Sequence, residues 1–446
     1  MQRFAVVIPK GVNIETVIRF AQFLDPSVKL DIEYLKYLIN LVLSKMALRF
    51  EMEDKNVYIP IYSQSVRIRF SRHAQNIRAL CERWFGNINI LHRKPYTAGK
   101  SFSYAISPFY QNELLEVDYL TNTRMMKIAR DESTKAHSVL TTISSRYHYL
   151  NKFFNPTSLQ IDIGAAKILC DKRFSDHKSY HKYVSEMHQI LELYNGTYRI
   201  YHNPDTDARL HTSITRLPRV YRQFVTFKGT KLVEIDLSNA VIYFIGTLLK
   251  ELVNDNLLNS PLVYMFAQSG ETLATKEVEQ FWKIASEGEF YDAFIQEFLC
   301  CYKPHQLKAY YEKEHCETYE GTNQQIRMIV KKRIVAMLFA KVSRYKKEQR
   351  IFQKRFPSIL SKILDFKTTH SHEKFSHLLF QIESSVMLGI VAKNFNKFYW
   401  RKTAIYTLHD CLITTADFKN ELENLMRNEF IKLFGMPPKM QAKAWI

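Results

Sequence analysis

Hydrophobic and polar positions along this chain change period several times, and each change marks an element. In the run Lys231–Ala240 the apolar residues Leu232, Val233 and Ile235 read as a buried strand that ends in Asp236. From Asn239 the period lengthens, and Val241, Ile242, Phe244, Ile245 and Leu248 line one face of a helix over 240–249. Gln324–Phe339 and Leu378–Phe395 read as two further helices, the second carrying Gln381 and Glu383. Cations continue past the first of these, from Lys341 to Arg355, and the helix is expected to run on to Phe356-Pro357. Two β-rich runs, 404–408 and 411–415, abut at His409-Asp410, which predicts a tight hairpin with a polar tip.

The first half of the chain is plainer. Residues 1–70 are expected to open with helices over Ile14–Leu24 and Ile32–Met46, followed by short strands near Val57–Tyr62. A helix over Ala74–Trp84 ends at Gly86 and leads into two alternating runs, Ile88–His92 and Phe102–Ile106, joined by the basic stretch 93–100. A helix followed by a hairpin with a basic tip is the outline of a winged helix, though any helix-plus-hairpin looks alike at this level. Residues 111–200 read as mostly helical with a break at Asn155-Pro156, and 252–322 as mixed.

Charge narrows the partners. Lys plus Arg (63) exceed Asp plus Glu (44) by 19, which favours a polyanion, nucleic acid before an anionic membrane surface. The six cysteines form no CxxC pair and no Cys/His ligand spacing, which argues for a reducing compartment and against structural zinc. The start lacks a signal-peptide core, and no apolar run approaches the ~20 residues that span a bilayer. The expectation is a soluble cytoplasmic protein, bacterial or in a phage-infected host, with no membrane partner.

Asp236 and Asp410 are the two carboxylates that strand ends and turns would aim at a cleft. On the helix 324–339, Arg327, Lys331, Val335 and Phe339 fall four apart on one face: two cations, an apolar side chain and an aromatic ring. Such a stripe could hold a triphosphate with one half and a base and sugar with the other, although an amphipathic helix with a charged edge has the same pattern. Upstream, Arg209, His211, Arg219 and Arg222 put four cations within fourteen residues of one another, suited to a nucleic-acid backbone. His370, His372 and His377 lack carboxylate or cysteine partners at ligand spacing and read as surface histidines.

The order of these pieces resembles the palm and fingers of family A polymerases, the superfamily of DNA polymerase I-like enzymes and phage-type single-subunit RNA polymerases. The resemblance covers roughly residues 200–415. Glu234-Ile235-Asp236-Leu237-Ser238 is similar to the first metal-binding motif, Leu408-His409-Asp410 to the second, and Arg327, Lys331 and Phe339 to the fingers-helix motif. Residues 208–213 resemble the upstream template/primer loop, and Gln381 the glutamine before the last hairpin. The chain departs from the pattern at Ala208 and Ala340, where Gly is usual, and at Phe339, where Tyr is usual. Val241 stands where the DNA enzymes carry a Glu that blocks the ribose 2′-hydroxyl.

The resemblance implies an α+β right hand, with an antiparallel-sheet palm (196–250 and 371–446), helical fingers (251–370) and a mostly helical N-terminal region (1–195). It implies two Mg²⁺ ions, with Mn²⁺ as a substitute, held by Asp236, Asp410 and the Leu237 carbonyl. Arg327 and Lys331 would bind phosphates, Lys331 doubling as general acid; Val335, Phe339 and Val241 would shape the nucleotide pocket. Arg209, His211, Arg222, Gln381 and His409 would contact nucleic acid. The expected function is a compact DNA-directed DNA polymerase without proofreading, acting in phage or mobile-element replication on a DNA template/primer and dNTPs, with other replication proteins as further partners. The alternatives are a single-subunit RNA polymerase or primase-like enzyme, and a non-catalytic nucleic-acid-binding replication protein.

Overall fold

A computed structural model describes residues 3–51, 58–62, 73–83, 88–138, 145–177, 179–251, 260–270, 272–315 and 317–446. Val57, Trp84 and Gly86, named above, and one of the six cysteines, Cys316, lie outside the described residues. The organising layer is an antiparallel sheet of six strands. At its centre runs Thr230–Leu237, flanked on one side by Cys411–Thr415 and on the other by Met440–Ala444. Tyr406–Leu408 extends the first flank. Val225–Phe227 pairs with the start of the central strand and Leu159–Ile161 pairs with Val225–Phe227 in turn. Leu232, Val233, Ile235 and Leu237 of the central strand are all buried, because flanking strands and helices cover both its faces. The helices Ala240–Glu251 and Lys419–Phe434 pack beside it, joined through the rings of Tyr243, Phe430 and Phe434.

The first residues differ from the expected helical opening. Phe4–Pro9 is a strand, buried at all six positions, and it pairs with Leu115–Leu120. Six apolar residues are too few to separate a buried strand from a helix segment by period alone. The Asn195 side chain accepts from the Ala5 N–H (2.7 Å) and donates to the Ala5 carbonyl (2.9 Å), tying this strand to the end of the helix Tyr180–Asn195. The expected helix-plus-hairpin takes the form of His73–Cys81 followed by Leu91–Arg93 and Ser103–Ile106, with Ile59–Pro60 as a third strand.

A second correction concerns the basic helix. Asn323–Phe339 starts with a capping box between Thr322 and Gln325, but it stops at Phe339 instead of running on to 355. Ala340 is extended, Tyr345 is left-handed (φ +55°), and a separate helix spans Lys346–Arg355. The Gln349 amide donates to the carbonyls of Val342 and Arg344 (2.8 Å each), which closes the intervening turn without the Gly or Pro that would have announced it.

A third correction concerns apolar length. His372–Tyr399 is one continuous helix of 28 residues, long and apolar enough by length and composition to cross a membrane. Of its most apolar stretch 61% is buried within the protein, where it runs through the core beside the sheet. Met387–Ala392 takes π-helical pairing within it, a geometry that recurs at functional sites.

Candidate metal and nucleotide site

The strand pairing brings Asp236 and Asp410 together across 174 residues of chain. In the register between the central strand and Cys411–Thr415, Asp236 stands directly opposite Cys411. Tyr406–Leu408 and Cys411–Thr415 are joined by a two-residue turn, so Asp410 sits at the hairpin tip beside that pair. His409, the other turn residue, is left-handed (φ +59°), as short hairpin turns require of at least one residue. Ligand atoms of Asp236, Asp410 and Cys411 all lie within 4.8 Å of one another. The Cys411 thiol points at Asp236 Oδ1 (2.9 Å), and Lys443 Nζ donates to Asp236 Oδ2 (2.8 Å).

Electrostatics at the tip follow from this crowding. Burial and the nearby Asp236 carboxylate push Asp410 up to about 6, opposed by Arg209 and Lys331. Burial and the two aspartates push the Cys411 thiol far above its usual range, so it stays protonated beside them. His409 is pushed down to about 4 by burial and by Arg209 and His211. The His409 ring meets that of His211 edge-on at 5.5 Å, and His211 Nε2 lies 2.9 Å from Asp207 Oδ2. Against the upward push of burial, this contact holds the Asp207 carboxyl below its usual range.

The loop 203–209 is held over this tip by the long helix. Arg209 makes a two-pronged pair with the buried Glu383, Nε to Oε1 at 2.8 Å and Nη2 to Oε2 at 2.7 Å. Its guanidinium lies 3.7 Å from the Phe380 ring centre. The Gln381 amide donates to the carbonyls of Thr206 (3.1 Å) and Pro204 (3.3 Å), and the Ser384 hydroxyl donates to that of Ala208. Ala208 itself is left-handed (φ +53°), a conformation that suits Gly. Burial pushes Glu383 up to about 7 against the pull of Arg209.

The remaining residues of the sequence reading fall in four settings. Lys331 is exposed on Asn323–Phe339 and close enough to act electrostatically on Asp410. Phe339, on the same face, packs on Phe380 with ring centres 5.4 Å apart, which joins the stripe to Arg209, and Val335 is half-buried between. Arg327 is engaged elsewhere, with Nε on Asp292 Oδ2 (2.9 Å) and Nη2 on the Gly288 carbonyl (3.2 Å). Arg222 is tied to Glu234 (3.4 Å), which also accepts from Trp445 Nε1 (2.9 Å). Val241 is half-buried in the first turn after Asn239, and Leu237 is buried opposite Met440.

Two residues of the cluster had no role in the sequence reading. Cys411 was legible in principle, since a two-residue turn at 409–410 makes 411 the first paired position of the returning strand. Lys443 had no signal, because nothing in Met440–Ala444 indicates which strand it joins. As a ligand set, the two aspartates suit Mg²⁺, which takes oxygen ligands and one or two carboxylates, while the protonated thiol of Cys411 does not.

Searches against protein-family models found no family that matches, and no curated protein matches either. Among solved structures, the polymerase domain of Pol1 from M. smegmatis, in complex with DNA primer-template and dNTP, aligns at a TM-score of 0.35 and 11% identity. The alignment covers 71% of this chain and 66% of that one, just under two thirds of its length.

Proposed function

We propose that this chain is a metal-dependent, template-directed nucleotidyltransferase that extends a DNA primer with dNTPs. The observation that carries the reading is the meeting of Asp236 and Asp410, from a strand end and a hairpin tip, within electrostatic reach of Lys331 on a separate helix. In this reading Asp236 and Asp410, with the Leu237 carbonyl, would hold two Mg²⁺ ions. When bound, the ions would lower the pKa of a primer 3′-hydroxyl and neutralise charge on the leaving pyrophosphate. Lys331 would hold the β- and γ-phosphates and give a proton to the leaving group. Arg327 joins it on the phosphates in competition with Asp292. Phe339, backed by Phe380, offers a flat apolar wall to the incoming base, and Val241 lines the sugar side. Gln381, Glu383 and Ser384 act through the backbone and Arg209 of the loop 203–209, fixing it and His211 beside the His409-Asp410 tip where a primer terminus would lie. Phosphoryl transfer needs mainly positioning and charge neutralisation, and these residue types supply both. In the same reading, residues 196–250 and 371–446 form a palm, 251–370 the fingers, and 1–195 a separate nucleic-acid-binding part.

The test is primer extension on a DNA template with Mg²⁺, comparing dNTPs with rNTPs, for wild type and Asp410→Ala. Extension with dNTPs that disappears in the variant is the expected result. Extension with rNTPs alone would move the protein to the RNA-synthesising alternative. No extension by a folded wild-type protein that binds DNA would favour the non-catalytic one.

A further inference from the structure

The far end of the long helix carries chemistry that the carboxylate site does not use. Residues 393–403 read Lys-Asn-Phe-Asn-Lys-Phe-Tyr-Trp-Arg-Lys-Thr, with four cations, and no Asp or Glu follows until Asp410. Phe398 and Trp400 are 64% and 46% exposed. Lys393, Lys397, Arg401 and Lys402 are exposed around them. Lys152 comes from another part of the chain to place Nζ 4.4 Å from the Trp400 ring centre, with the Arg401 guanidinium 4.8 Å from the same ring. Lys397 Nζ lies 6.0 Å from Phe398. The segment bearing Lys152, Ser145–Phe153, is anchored to the long helix by the Tyr149 hydroxyl, which donates to the Leu388 carbonyl at 2.6 Å. On the inner side the Tyr399 ring meets that of Phe418 at 5.7 Å.

Two large rings left in water two residues apart in the chain, each with a cation beside it, mark a binding surface. An acidic polymer would satisfy the cations but leave the rings wet. Single-stranded nucleic acid satisfies both, since its phosphates pair with the cations while its unpaired bases stack on the rings. A duplex keeps its base faces covered and offers the rings nothing. From Glu383 to Trp400 the helix advances seventeen residues, about 25 Å at ~1.5 Å each, or roughly seven nucleotides at ~3.4 Å each. The surface is therefore separate from the part of the helix that holds Arg209 and the loop 203–209.

We propose that Lys152 and residues 393–402 form a second nucleic-acid site, one that binds single strands by stacking on Phe398 and Trp400. It stands apart from the catalytic reading: Asp410→Ala leaves it intact, and a failure of primer extension does not touch it. The experiment uses the full chain and a labelled oligo(dT) of twenty nucleotides, with binding followed by anisotropy across a salt series. Lys397→Gln/Arg401→Gln/Lys402→Gln is expected to make the log K against log[salt] slope shallower by about 2, since each single-strand contact contributes ~0.7. Phe398→Ala/Trp400→Ala is expected to weaken binding at least tenfold with the slope unchanged. Circular dichroism confirms that both variants fold. Unchanged slope and affinity in both overturn the proposal. An equal loss on blunt duplex overturns the single-strand assignment, as does a loss confined to anionic phosphatidylserine vesicles.

Discussion

Replacing Asp410 by Asn should stabilise the metal-free protein while abolishing its metal binding. In the structure Asp410 is pushed from 3.8 to about 6 by burial and by Asp236. A carboxyl raised in the folded state binds a proton more readily there than in the unfolded chain. Stability is therefore fully present below 3.8, declines as pH rises, and has lost its full share above about 6. A shift of about two units at ~1.4 kcal/mol each is close to 3 kcal/mol, and the partial exposure of the tip reduces this to about 2 kcal/mol. Asn keeps the shape and removes the charge, so the variant recovers that amount at pH 7.5 and about half of it at pH 5. With an unfolding entropy of ~2.1 cal/mol/K per residue over this chain, 2 kcal/mol corresponds to a rise in Tm of roughly 2 °C. The assay is thermal unfolding in EDTA at both pH values, repeated with millimolar Mn²⁺. Wild type should gain Tm from the ion and overtake the variant, which should gain nothing. An Asn variant less stable than wild type in EDTA, or an advantage that does not shrink toward pH 5, would refute the electrostatic argument. A variant that still gains Tm from Mn²⁺ would refute the assignment of Asp410 as a ligand.

Other residues give separate tests. Arg209→Met leaves the buried Glu383 without its partner and should cost about 3 kcal/mol in urea unfolding at pH 8. The loss should be smaller at pH 6, where the Glu383 carboxyl, already pushed up to about 7, takes a proton. Ala208→Gly relieves a left-handed φ of +53° and should raise stability by about 0.5–1 kcal/mol, since the strain removed exceeds the entropy Gly adds to the unfolded chain. Lys331→Ala, at an exposed position, should change stability by less than ~0.5 kcal/mol yet lower primer extension by about 10²-fold or more. Equal losses of stability and extension would reduce Lys331 to a structural residue.

The sequence exposed the parts of the site whose signals are local. A buried strand ending in Asp236 and a two-residue turn at His409-Asp410 are each written within about ten residues, and both elements form as read. The stripe of Lys331, Val335 and Phe339 is equally local, being set by helical period alone. What the sequence hid is everything fixed by pairing at a distance. The strand Phe4–Pro9 depends on Leu115–Leu120, Lys443 reaches Asp236 through a strand whose partner no pattern names, and Glu383 meets Arg209 across 174 residues. The stop at Phe339 was illegible for a different reason, since side-chain bonds from Gln349 close the turn where Gly or Pro would usually do so. The pairing of Arg327 with Asp292 belongs to the same class, because a cation on a helix face does not reveal which carboxylate another segment brings to it.

The six-stranded sheet also sets a schedule for the chain as it is synthesised. The central strand first gains Val225–Phe227, its neighbour in sequence, while the partners that cover the rest of its length, 411–415 and 440–444, come much later. Lys443 follows Asp236 by 207 residues, a delay of roughly 10–40 s at ~5–20 residues per second. For that interval Leu232, Val233, Ile235 and Leu237 form a strand with two open edges, the type of segment that chaperones shield and that aggregates when they do not. No fragment that stops short of residue 411 contains Asp236, Asp410 and Cys411 together, and Lys443, which holds Asp236, comes later still, so the cluster should be completed as one of the last events of folding. The slow, non-local closure of this sheet, more than the helices around it, should then limit how fast the folded form accumulates.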